Sequence, residues 1–154
     1  MHESAAEEKH IDFAVRYSHS IGDWDIGLAH FYGTSREPRL LSQQDLSGNP
    51  ILIPFYDIIH QTSADVQLTD GNMAWKLEAL HRSGRRDAYN AMVAGFEYTF
   101  VEVMGGVVDV VALAEYRYDG RGKSALTIFQ DDVAVGVRLS FNDVQSSQAL
   151  MGLV

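Results

Sequence analysis

The stretch IDFAVRYSHSIGDWDIGLAHFY, residues 11–32, decides the fold, because apolar and polar side chains alternate along both of its halves. Such alternation with a period of two is typical of β-strands that have one apolar face. A two-residue turn at the central Gly-Asp dipeptide would pair Phe13 with Tyr32 and Tyr17 with Leu28, apolar against apolar. The stretch therefore predicts an antiparallel hairpin with one apolar and one polar face.

The same alternation continues through the rest of the chain and predicts about eight strands. Beyond residues 11–20 and 24–32, strands are expected on both sides of Asp70-Gly71, over 90–100, 108–118 and 132–141, and from about Val144 onward. Asp-Gly is a strong hairpin signal. Counting outward from it pairs Val66 with Trp75 and Ala64 with Leu77, and sets Asp65 opposite Lys76 on the polar face.

The connections between these strands alternate in length. Short ones are expected at Gly22-Asp23, Asp70-Gly71, Gly105-Gly106 and Asn142-Asp143, and longer ones over 33–56, 83–88 and 119–130. Transmembrane barrels have short periplasmic turns and longer extracellular loops. The pattern predicts an all-β fold, an antiparallel up-and-down transmembrane β-barrel over residues 10–154. Residues 1–9 are expected to be a disordered or acidic leader.

Composition narrows the class of protein further. The 154 residues fit one domain. No apolar run approaches the roughly 18 residues of a transmembrane helix. A formal net charge of -9 argues against nucleic acid as a partner, since binding it requires basic residues that neutralise phosphates. The chain has no cysteine, which excludes disulfides and thiol metal sites.

The aromatic residues of the apolar face are expected near its two rims, with an aliphatic band between them. One predicted girdle comprises Trp24, Trp75, Phe100 and Phe141, and the other comprises Phe13, Tyr32, Tyr116 and Tyr118, with Phe129 close by. Two aromatic belts are typical of a barrel that crosses a membrane. In a soluble sandwich the same apolar face would instead be the core.

The polar face carries many charged side chains, which in a barrel would line the lumen. The predicted lumen-lining charges are Arg16, Asp65, Lys76, Glu78, Glu97, Glu115, Arg117, Asp132 and Arg138. Arg117 and Asp132 are expected at similar height on adjacent strands. These charges would tune the selectivity of a pore, or they would satisfy one another in a plugged lumen, as small barrels do.

Motifs for chemistry are scarce. The chain has no P-loop, dinucleotide fingerprint or nucleophile elbow, and the GRGK stretch at 120–123 lacks P-loop spacing. His60 and His81 become neighbours in the Asp70-Gly71 register and could hold a metal, although an interfacial role is favoured. Ser83, near His81, is the one faint candidate for a hydrolase. We expect no catalytic residue, cofactor or metal.

Three segments resemble wall strands of Gram-negative outer-membrane β-barrels of the porin-like kind. They are FEYTF at 96–100, AEYRYDGRG at 114–122 and DVAVGVRLSFND at 132–143. The resemblance implies an exported protein of the bacterial outer membrane, with membrane lipid and small polar solutes as partners, and it leaves a homo-oligomer open.

The functional expectation is a passive porin-like channel or a structural membrane barrel without catalysis. Two alternatives remain: a soluble periplasmic β-barrel or sandwich that binds a small apolar ligand, and an outer-membrane hydrolase. If the short turns are periplasmic, the first strand starts outside and the eighth heads outward again. Since both ends of such barrels normally lie in the periplasm, and no signal peptide is visible, we expect an open part of a larger barrel with at least about ten strands.

Overall fold

A computed structural model of the chain describes residues 1, 3, 9–85, 88–125 and 127–154, and within them the fold is all-β. The strands are β1 (Phe13–Ile21), β2 (Trp24–Thr34), β3 (Arg39–Gln44), β4 (Pro50–Phe55), β5 (Ile58–Asp70), β6 (Met73–Gly84), β7 (Tyr89–Glu102), β8 (Val108–Asp119), β9 (Asp131–Phe141) and β10 (Gln148–Leu153). Short helical turns cover Val103–Gly106 and Gly122–Ser124. No helix in these ranges is long and apolar enough to cross a bilayer.

Eight of the strands form one antiparallel sheet in the order β1-β2-β5-β6-β7-β8-β9-β10. Strands β3 and β4 form a separate hairpin within the connection from β2 to β5. The prediction of an all-β, up-and-down antiparallel arrangement with eight principal strands is confirmed.

The eight-stranded sheet is open. In the part of the chain that the structure describes, β1 pairs only with β2, and β10 pairs only with β9. The first and eighth strands therefore do not close a small barrel. This agrees with the expectation of an open stretch of sheet, whereas insertion into a membrane stays a prediction.

The first hairpin has the predicted register. Phe13 pairs with Tyr32 and Tyr17 with Leu28. Gly22 holds the first central position of the turn with a φ of 56°. A positive φ at that position is the geometry of a type II′ turn, which favours glycine there.

The predicted register of the second hairpin is wrong by two residues. Its turn is Gly71-Asn72, flanked by the pair Asp70 and Met73, instead of Asp70-Gly71. The physical reason is the same preference as in the first hairpin, because Gly71 takes the first central position with a φ of 56°.

The two-residue shift changes the cross-strand partner of each residue but not the face of the sheet on which it lies, since side chains alternate with a period of two. Asp65 lies opposite Glu78 instead of Lys76. The other observed partners are Ala64 with Ala79, Val66 with Leu77, Leu68 with Trp75, and Gln67 with Lys76.

Two connections also differ from expectation. The predicted long loop over 33–56 contains the β3–β4 hairpin, whose turn is closed by Asp45. Its carboxylate accepts hydrogen bonds from the backbone N–H groups of Ser47 and Asn49 at 2.8 Å. The hydrogen bond from the Asn49 side chain is the main cause that lowers the pKa of Asp45. The predicted two-residue turn at Asn142-Asp143 is instead the link 142–147, so β10 begins at Gln148.

The two faces of the sheet differ in chemistry and in burial. The charged face carries, among others, Arg16, Lys76 and Arg138, and the apolar face carries residues such as Phe13 and Val133, 60% and 59% exposed. In the described residues, the only buried hydrophobic side chains are Val111 and Ala134, 4% and 8% exposed. Both lie on the charged face, since their cross-strand partners Arg138 and Glu115 do.

Candidate functional site

All nine predicted lumen-lining charges lie on the charged face. Because cross-strand partners point to the same side of a sheet, the register joins these residues through continuous rows. Examples of such pairs are Asp65 with Glu78, Val93 with Arg117, and Arg117 with Asp132. Arg16, Asp65, Glu78 and Arg117 border a cavity of about 620 Å³ on this face.

One ion pair of the charged face spans an intervening strand. Arg16 on β1 reaches Asp65 on β5 with a Nη1–Oδ1 distance of 2.9 Å, across β2. Gly27 lies between them, and a Cβ atom at this position would overlap both side chains. The absence of a side chain at Gly27 therefore permits the contact.

Glu97 forms ion pairs with two basic side chains from different strands. Lys76 Nζ lies 2.7 Å from Oε1 of Glu97, and Nη2 of Arg138 lies 3.4 Å from Oε2. Arg138 is on β9 and Glu97 on β7, so this pair also crosses an intervening strand. Lys76 bonds to Glu97, and it does not bond to Asp65 as the predicted register required.

Arg117 is directly opposite Asp132, as expected from the sequence, but its ion pair is with another residue. Nη2 of Arg117 lies 3.1 Å from Oε2 of Glu115 on its own strand. Its guanidinium lies 5.4 Å from the ring centre of Phe129. Phe129 thus contacts the charged face, and its predicted place beside the apolar rim is wrong. Among the described residues, Asp132 makes no ion pair.

A cluster at the long-loop edge of the charged face was missed by the sequence reasoning. This rim cluster consists of Glu37, Gln61, Arg82, Tyr89, Asp119 and Arg121. Glu37 accepts from Arg82 at 3.1 Å and from Arg121 at 3.2 Å. The alternation along β6 places Arg82 on the charged face, whereas Glu37 lies in a connection whose path no periodicity reveals.

Arg121 is held firmly inside the cluster. Its Nη2 lies 2.7 Å from Oδ2 of Asp119, and its guanidinium lies 4.3 Å from the ring centre of Tyr89. The hydrogen bonds to Asp119 are the main cause that raises the pKa of Arg121 far above its ordinary value. The GRGK loop therefore presents a permanently charged guanidinium that is already paired.

A buried carboxylate fixes the connection that carries Glu37. Asp57, 5% exposed, binds Arg39 through both carboxylate oxygens at 3.1 and 3.2 Å. The backbone N–H of Ser35 donates to the carbonyl oxygen of Asp57 at 2.8 Å. These contacts tie both ends of the β2–β3 connection to Asp57, the residue directly before β5, and Glu37 lies between them.

The predicted girdle residues all lie on the apolar face. The register assigns this face to Trp24, Trp75, Phe100, Phe141, Phe13, Tyr32, Tyr116 and Tyr118. Trp75 contacts Phe96 with ring centres 5.3 Å apart. Their positions relative to a bilayer stay a prediction.

His60 and His81 are not cross-strand partners, because the register of β5 and β6 differs from the predicted one. His60 pairs with Ser83, and His81 pairs with Thr62. The ring of His60 lies 4.7 Å from that of Tyr32. No group of three potential metal-binding side chains occurs among the described residues.

For the hydrolase alternative, the structure shows a hydrogen bond to the histidine but none between the serine and the histidine in the described residues. Nδ1 of His81 is hydrogen-bonded to Oδ1 of Asn90 at 2.8 Å, and Ser83 lies two residues further along the same face. An activated serine needs a base within hydrogen-bonding distance. Within the described ranges, no hydrogen bond joins Ser83 to His81, so the nucleophile and base are not connected.

No family model, curated protein or solved structure matches the chain. The geometry of the two faces and of the rim cluster is therefore the basis for a functional assignment.

Proposed function

We propose that the sheet is wall structure of an outer-membrane β-barrel of the porin-like kind, with the charged face lining an aqueous passage for small polar solutes. The apolar face contacts lipid. The mechanism is diffusion past the charged side chains, and it requires no catalysis or cofactor.

The observation that carries this proposal is the exposure of large apolar side chains across one whole face of the sheet. Large apolar side chains such as Phe13 and Val133 are exposed on one face, while the buried hydrophobic residues Val111 and Ala134 lie among the charges of the other. A soluble sandwich covers its apolar face with a second layer. Among the described residues no strand or helix packs on that face, and lipid is the environment in which exposed apolar side chains are stable.

The pairing of the charges supports a charged face that is turned away from lipid, and it is shared by an open passage and a plugged lumen. Arg16, Lys76 and Arg138 each have a carboxylate partner, as expected for ionised groups that face a confined aqueous space. The proposal also requires further strands beside β1 and β10, because an unpaired edge is not tolerated in lipid.

The two tryptophans provide a direct test, since the chain contains no others. Trp24 and Trp75 both lie on the apolar face and are 46% and 48% exposed. We expect their fluorescence to be quenched when the chain is folded into vesicles of phosphatidylcholine with brominated acyl chains, because bromine quenches only on contact. The variants Trp24→Phe and Trp75→Phe assign the quenching to each position.

A chain that remains monodisperse without detergent, with fluorescence unaffected by brominated lipid, would contradict the proposal and favour the soluble alternative. Stepwise conductance in planar bilayers distinguishes a channel from a purely structural barrel. Conductance is expected if the charged face lines an open passage.

A further inference from the structure

Two arginines of the rim cluster each direct one N–H group to the same carboxylate. Nη1 of Arg82 lies 3.1 Å from Oε2 of Glu37, and Nη1 of Arg121 lies 3.2 Å from Oε1. Each carboxylate oxygen therefore accepts a charge-assisted hydrogen bond from a different guanidinium.

The Nε and Nη2 groups of both arginines donate to other partners, which fixes the direction of the two Nη1 groups. Nε and Nη2 of Arg82 donate to Oε1 of Gln61 at 2.9 and 2.8 Å. Nε and Nη2 of Arg121 donate to Asp119. The ring of Tyr89 lies beside both guanidiniums, at 5.7 Å from Arg82 and 4.3 Å from Arg121. The two Nη1 groups of Arg82 and Arg121 thus form a preorganised clamp. A clamp of this kind loses little side-chain entropy when it binds a carboxylate.

The carboxylate that occupies the clamp comes from a connection between strands. Glu37 lies between β2 and β3, and its side chain is 32% exposed. The clamp borders a cavity of about 610 Å³, which is also lined by Arg39 and Arg85. A solute can therefore reach the two Nη1 groups from water, while Arg39 and Arg85 are paired with Asp57 and Glu3.

We propose that Arg82 and Arg121 form a binding site for the carboxylate group of an anionic solute, and that Glu37 occupies this site as an internal ligand when no solute is bound. Binding exchanges one carboxylate for another and leaves the contacts to Gln61, Asp119 and Tyr89 in place. The apparent affinity for the solute is then its intrinsic affinity multiplied by the fraction of molecules in which the clamp is free of Glu37.

The role of this site in selecting solutes rests on the proposed channel function, but its ability to bind a carboxylate does not. The test is therefore a calorimetric titration of the full chain in non-ionic detergent, which depends on neither membrane insertion nor conductance. The probe is benzoate, with uncharged benzamide as its matched control, at low ionic strength because salt screens the arginines.

Benzoate is expected to bind the Glu37→Gln variant about tenfold more tightly than the original chain. The shorter carboxylate of Glu37→Asp should give an intermediate affinity at unchanged net charge. Adding Arg82→Gln to Glu37→Gln should abolish binding, and benzamide should not bind. Circular dichroism of each variant verifies the fold.

Glu78→Gln is the control for net charge, because Glu78 lies on the same face and makes no ion pair among the described residues. It should bind benzoate as the original chain does. An unchanged affinity in the folded Glu37→Gln and Glu37→Asp variants, or an equal gain in Glu78→Gln, would overturn the proposal.

Discussion

Gly27 and Gly95 both lie on the charged face of the sheet, but a side chain at each position would clash with different atoms. A Cβ atom at Gly27 would overlap the ends of the Arg16 and Asp65 side chains. A Cβ atom at Gly95 would lie 2.5 Å from the backbone carbonyl oxygen of Ala114. Side-chain ends can rotate away, whereas the carbonyl belongs to the ladder between β7 and β8.

We therefore expect Gly27→Ala and Gly95→Ala to differ in their cost. Gly27→Ala should change the free energy of unfolding by less than about 1 kcal/mol, because it displaces only an exposed ion pair. Gly95→Ala should destabilise the sheet by about 1–3 kcal/mol, as overpacking against backbone does. Urea unfolding of both variants in the same detergent measures the difference, and equal costs would contradict this account.

At the scale of single elements, the hairpins show how a glycine selects the register. In both β1–β2 and β5–β6 the glycine takes the first central position of the turn with a φ of 56°. The register of β5 and β6 consequently places Lys76 opposite Gln67, two residues away from the position opposite Asp65. Lys76 then extends to Glu97 on β7, at 2.7 Å.

This register predicts which charges are energetically coupled. A double-mutant cycle with Lys76→Gln and Glu97→Gln should give a favourable coupling of up to about 1 kcal/mol, the range of a partly exposed pair. The matched cycle with Lys76→Gln and Asp65→Asn should give a coupling close to zero. Coupling in the second cycle and none in the first would support the Asp70-Gly71 turn instead.

Most of the correct predictions follow from the periodicity of the strands. Alternation with a period of two determines which face a residue occupies, and a register error of two residues leaves every face unchanged. All nine charges from Arg16 to Arg138 were assigned to the correct face for this reason. Partners were less predictable, because Arg16 with Asp65 and Glu97 with Arg138 meet across an intervening strand.

The rim cluster could not be predicted by the same reasoning. Glu37 reaches Arg82 and Arg121 because the connection after β2 folds over the charged face, and connections have no periodicity. One signal was available: RLLSQQ and PILIPF flank the turn-forming DLSGN stretch at 45–49, which indicates a hairpin inside the presumed loop. It would have placed the β3–β4 hairpin but not the contact of Glu37.

At the scale of the whole molecule, the proposal depends on what covers the apolar face. Val137 and Val133 both lie on this face of β9, near the middle and near one end of the strand, and are 37% and 59% exposed. If water covered the face, an arginine at either position would be close to neutral. If lipid covers it, the cost depends on depth and is largest at the bilayer midplane.

We expect Val137→Arg to destabilise the chain in phospholipid vesicles by about 2–4 kcal/mol and Val133→Arg by about 0–1 kcal/mol. Ser140→Arg, which places the same charge on the opposite face of β9, is the matched control and should cost less than Val137→Arg. Denaturant unfolding in vesicles measures all three. Equal costs at Val133 and Val137 would argue against lipid contact, because the penalty for a charge in a bilayer rises toward the bilayer centre.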